Sequence, residues 1–147
     1  MGIFDQAFRA KVDSRVAMDA AEAFAAICLV AISADGYLSD SEEAEMKMRL
    51  SRMQLFSDAT DRLDRMKDYL VSRLKKYGSQ EMIASAKAAL PPQLTPTAFA
   101  IAVDLVFADG TVSIEEQAFI DDLRGILAIP DEMALKIVEV MTIKNKG

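Results

Sequence analysis

The stretch AFAAICLVAISADGYLSDSEE, residues 23–43, decides how this chain is read. Its first twelve residues are apolar or small apart from Ser33, too few for the roughly 18 that would suggest a membrane span, so the run is the buried helix of a protein core. Asp35-Gly36 then breaks it, because glycine admits the positive φ that turns a chain sharply after a helix. Leu38 is the one strongly apolar residue of the turn and anchors it. Ser39, with Glu42 three residues on, is the capping-box signature of a new helix.

The pattern occurs twice. ADGYLSDSEE at 34–43 and ADGTVSIEEQ at 108–117 align without a gap, each after an apolar helix, at an offset of 74 in a chain of 147 residues. This predicts an internal repeat, about 17–53 and 96–128, whose buried helices touch across a pseudo-twofold axis.

Outward from these motifs, apolar residues recur at helical spacing and nowhere alternate as in strands. The fold class expected is all-α, a single compact domain (1–147) of about seven helices. A short helix is expected at 4–11, a long one from Ser14 or Ala17 to Ala34, and another from Ser39 to about Met53. On this second long helix Glu43/Lys47 and Glu45/Arg49 read as solvated i,i+4 pairs. Ser57 is expected to cap a surface helix ending at Tyr77, with acids early, Arg73, Lys75 and Lys76 late, and Gly78 closing it. Helices from Ser79 to Pro91-Pro92, from Thr95-Pro96 to Ala108, from Ser113 and from Pro130 complete the set. Met46, Met48, Met53, Met66 and Met82 read as core filler.

Composition excludes more than it specifies. The chain has no histidine and one cysteine, Cys28, within the apolar run. Ser-His-Asp and Cys-His catalysis and His/Cys zinc sites are therefore out, and any metal would need oxygen ligands. The net charge of −6 disfavours nucleic acid. The N-terminus carries neither a signal-peptide core nor, with Gln6, a myristoylation signal, and the expected location is cytoplasmic with no transmembrane segment.

Candidate metal ligands are Asp35, Ser39 and Glu42 in one motif and Asp109, Ser113 and Glu116 in the other, suited to a divalent ion of the Ca²⁺ or Mg²⁺ class. The same residues serve equally as turn and cap. Both motifs match the second half of an EF-hand loop in register, but its first ligands are missing: Ala31, Ser33, Leu105 and Phe107 stand there. Each copy alone is an incomplete site. Asp104 sits in the second apolar helix where the first copy has Val30, so it needs hydrogen-bond donors, for which a neighbouring helix start is the expected source.

The repeated Ala-Asp-Gly, with Ser39/Glu42 and Ser113/Glu116, resembles the TerB family of tellurite-resistance proteins over about residues 20–140. That fold also occurs in the N-terminal part of certain membrane-linked DnaJ-type co-chaperones. The resemblance implies a non-enzymatic, stress-associated accessory protein with a metal site at the acidic positions. The alternative is an interaction module in which the motifs only shape the fold. Either reading admits a protein partner, and the symmetry admits a homodimer.

Overall fold

The computed structural model describes residues 18–34, 36–57, 62–108 and 110–147. The helix expected at 4–11 lies outside them. So do Asp35, Asp109, and Asp58 and Asp61 of the early acidic run. Among the described residues there are seven α-helices and no strand. They are α1 (Ala20–Ile32), α2 (Asp40–Ser51), α3 (Leu63–Tyr77), α4 (Ser79–Ala89), α5 (Thr95–Phe107), α6 (Ile114–Ile126) and α7 (Asp131–Lys144), with 3₁₀ turns at Gln54–Phe56 and Pro92–Leu94.

Helix α1 is the hub. Every residue from Ala23 to Ile32 is at most 3% exposed, which follows from a sequence apolar on all sides. It packs most extensively on α4 and α5 and also meets α2, α3 and α6, while α2 reaches across to α5. Ala23 and Ala26 of α1 and Ala98 and Ala102 of α5 are fully enclosed, and side chains this small allow helix axes to approach closely. Asp19 starts α1 with a full capping box to Glu22, later in the chain than the start expected at Ser14 or Ala17.

Several surface readings change in three dimensions. The third helix starts later than Ser57, which ends the Gln54–Phe56 turn: α3 begins at Leu63 with Arg62 at its N-cap. Gly78 has φ 89° with ψ 170°, so it bends the chain directly from α3 into α4. Glu43 and Lys47 do not pair with each other: Glu43 bonds Lys67 and Lys47 bonds Asp64, both on α3. Arg73 is buried, not solvated, and holds Glu81 of α4 at 2.7 Å. Met46, Met66 and Met82 are buried, Met53 is half-buried against the core and Met48 is exposed.

Asp104, 4% exposed, receives side-chain donors and not a helix start. Arg49 Nε of α2 donates at 2.9 Å, and Lys144 Nζ and Asn145 Nδ2 at the end of α7 donate at 3.1 and 2.8 Å. Arg49 also bonds Glu45. Burial opposes charge on both central groups, but the reciprocal bonds outweigh it. Those from Asn145, Arg49 and Lys144 hold the Asp104 carboxyl below its usual range, and those of Asp104 and Glu45 raise the Arg49 guanidinium.

Helix α6 ends on Ala128, the one non-glycine residue with positive φ (55°) among those described. Ile129 N donates to Arg124 O and Ala128 N to Gly125 O, closing the helix end. Ala128→Gly should relieve the strain of an L-residue in this conformation, raising stability by about 1 kcal/mol and Tm by about 2–4 °C in thermal unfolding.

Candidate functional site

The two Asp-Gly motifs fold alike. Gly36 (φ 86°) donates its N–H to Ser33 O at 2.9 Å, and Gly110 (φ 84°) donates to Phe107 O at 3.0 Å. Leu38 and Val112 then pack on the core. Ser39 Oγ accepts from Glu42 N at 3.1 Å while Glu42 Oε1 accepts from Ser39 N at 3.1 Å and from its hydroxyl at 2.8 Å. In the second motif Glu116 N donates to Ser113 Oγ at 3.0 Å and Ser113 N to Glu116 Oε1 at 2.9 Å. The serines act as N-caps, and each cap uses Oε1 of its glutamate, leaving Oε2 outside the capping bonds.

Packing of α1 on α5 brings the two motifs together. Glu42 and Glu116 line one cavity of about 130 Å³, with Ser41, Glu45, Ile32, Leu105, Val106 and Ala108. Ser39 and Ser113 are not on its wall, whereas Ser41 and Glu45, which the sequence did not single out as ligands, are. Glu45 is tied to Arg49, so one edge of the acidic cavity connects through that cation to Asp104. Among the described residues no three Asp, Glu or Cys side chains stand close enough to hold a metal ion. A site there would need Asp35 and Asp109, which lie outside the described residues.

A family model described as Tellurite resistance protein TerB matches residues 21–137. The chain belongs to the TerB family. Comparison with curated proteins and with solved structures returns no match. Among the described residues of this TerB protein no single helix is long and apolar enough to cross a membrane.

Redox chemistry at the thiol is disfavoured in this TerB chain. Cys28 is fully enclosed, and burial pushes its thiol up to about 12, with Arg49 opposing only in part. Too little thiolate forms near neutral pH for nucleophilic attack. A second concavity, of about 700 Å³, runs between α3 and α6 over Val30, with Leu38, Val71, Leu74 and Phe119 as its apolar lining. Nothing in the sequence pattern marked it, because its walls come from helices far apart along the chain.

Proposed function

We propose that this TerB protein is a non-enzymatic accessory factor of the tellurite or metal stress response that holds a divalent cation between its two Asp-Gly motifs. The observation that supports this is the shared cavity: Glu42 and Glu116, 74 residues apart, face one space. Carboxylates suit a hard cation such as Ca²⁺ or Mg²⁺, and Asp35 and Asp109 of the same two motifs are the further ligands the sequence offers. Ser39 and Ser113 hold the glutamates in position through the capping boxes.

Calorimetric and NMR titration with Ca²⁺, Mg²⁺, Mn²⁺ and Zn²⁺ tests the reading. Binding is expected with one ion per chain, perturbing both motifs together, and is lost in Glu42→Gln with Glu116→Gln. Absence of any perturbation at millimolar metal would sink it.

The groove over Val30 favours a second reading, an interaction module of scaffold or co-chaperone type. In that case the double glutamine variant keeps partner binding, while charge introduced at Val71 or Leu74 abolishes it.

A further inference from the structure

Two concavities run together on one side of the molecule. The one of about 700 Å³ between α3 and α6 and another of about 300 Å³ between α4 and α6 share Val30, Ser79, Phe119 and Asp122, so they form a single trough over α1. Helix α6 supplies one wall through Glu115, Ala118, Phe119, Asp122 and Ile126. Those positions, i, i+3, i+4, i+7 and i+11, are one stripe along a helix. The other wall is Val71, Leu74 and Lys75 of α3, continued past the bend at Gly78 by Ile83, Ala84 and Lys87 of α4. Between Glu115 and Ile126 the α6 axis rises about 16 Å, three helical turns.

The charges on these walls have no partners within the chain. Among the described residues, Lys75, Lys87, Glu115 and Asp122 enter no side-chain hydrogen bond or ion pair, whereas Lys67, Arg73 and Arg124 of α3 and α6 are engaged by Glu43, Glu81 and Asp131. The four are also sorted by sign, with both carboxylates on α6 and both ammonium groups on the facing wall. Each wall is a helix with its backbone bonded internally, so an extended peptide would find no ladder partner, and an occupant must satisfy its own backbone groups. A fatty acid carries one sign of charge and would leave the other wall unanswered. Tyr37 and Ile114, 69% and 80% exposed, adjoin the lining residues Leu38 and Glu115 in sequence and add apolar surface at that end.

We propose that the trough docks an amphipathic helix of a partner protein. Its apolar face lies over Val30 and Phe119, basic residues seven apart on one flank meet Glu115 and Asp122, and acidic residues on the other flank meet Lys75 and Lys87. This rests on the interaction-module reading and adds the chemistry of the partner. Turning the helix end for end would set like charges together on both walls, so the sorting of sign selects one direction. A single helix in a trough of three turns buries an area at the low end for specific interfaces, which gives a dissociation constant on the order of 1–100 µM.

The test is titration calorimetry of the full chain with synthetic helices of about five turns, each with a leucine face and carrying Lys on one flank and Glu on the other, Lys on both, or Glu on both. The two-sign helix is expected to bind, and each single-sign helix about tenfold more weakly. Glu115→Lys with Asp122→Lys, at exposed positions and with unchanged circular dichroism, should invert the order in favour of the helix with Glu on both flanks. Ala118→Trp, also at an exposed wall position, should fill the trough and abolish binding of all three. Binding lost in Ala118→Trp but indifferent to the charge reversal keeps the trough as an interaction site and overturns the charged-flank assignment. Binding indifferent to both changes overturns the trough reading with it. A trough that takes laurate and none of the helices, or self-association of the chain that Ala118→Trp abolishes, assigns another occupant and overturns the proposal.

Discussion

Asp104→Ala is expected to lower the unfolding free energy by about 3–5 kcal/mol, read as a fall in the urea midpoint at unchanged slope. The carboxylate is nearly enclosed and receives donors from α2 and α7 at once. Removing it leaves Arg49, whose side chain is 12% exposed, with Glu45 as its remaining ion-pair partner, and it unfastens the end of α7. A largely enclosed cation that loses one of its two carboxylate partners is the expensive consequence. The chain carries its own control. At the offset of 74 the counterparts of Asp104 and Arg49 are Val30 and Leu123, both buried. Asp104→Val with Arg49→Leu should therefore recover most of the loss, because buried ion pairs are often replaceable by apolar residues of similar volume.

The same pair sets the acid response. The Asp104 carboxyl is held below its ordinary value in the folded state, as is Glu81, where the bonds from Arg73 and Ser85 outweigh burial. A carboxylate depressed by folding contributes stability that is present above its unfolded value, about 4, and is lost as pH falls through the folded one. Stability should thus decline below about pH 4, and more shallowly in the Val/Leu double variant.

What could be read in advance was local. Ser39 with Glu42, and Ser113 with Glu116, carry their geometry in a three-residue spacing, and Gly36 and Gly110 announce their turns through a conformation other residues avoid. Asp19 with Glu22 carries the same capping signal and marks a later start for α1 than Ser14 or Ala17. Arg73 is buried because Gly78 folds α4 back to deliver Glu81, and its place in a row of late basic residues hides this. Ala128 occupies a left-handed position that only Gly or Asn would have signalled. The contact of α1 with α5 is the one the repeat at an offset of 74 leads one to expect, but which acids it brings to the wall of one cavity, Glu42, Glu45 and Glu116, no spacing encodes.

Phe24→Ala should cost a further amount of the same order, about 3–5 kcal/mol, but without touching the cavity between Glu42 and Glu116. Phe24 is fully buried and stands edge-on to Phe56, 6.2 Å between ring centroids and 74° between planes. Phe56 belongs to the 3₁₀ turn that leads from α2 toward α3, so the pair ties that link to the hub helix. Truncation opens a cavity and forfeits an edge-to-face contact worth about 0.5–1.5 kcal/mol. Against a total stability on the order of 5–15 kcal/mol, the loss can consume half. Phe24 lies near the start of α1, whereas Ile32 at its end borders the acidic cavity. The folded fraction of Phe24→Ala should then bind metal as the parent does, while Glu42→Gln with Glu116→Gln should lose metal at little cost in stability, since a glutamine oxygen still accepts the capping bond. Chemical unfolding and metal titration on the two variants give opposite patterns if the carboxylates act as ligands. If both variants leave metal titration unchanged, the glutamates are caps and nothing more.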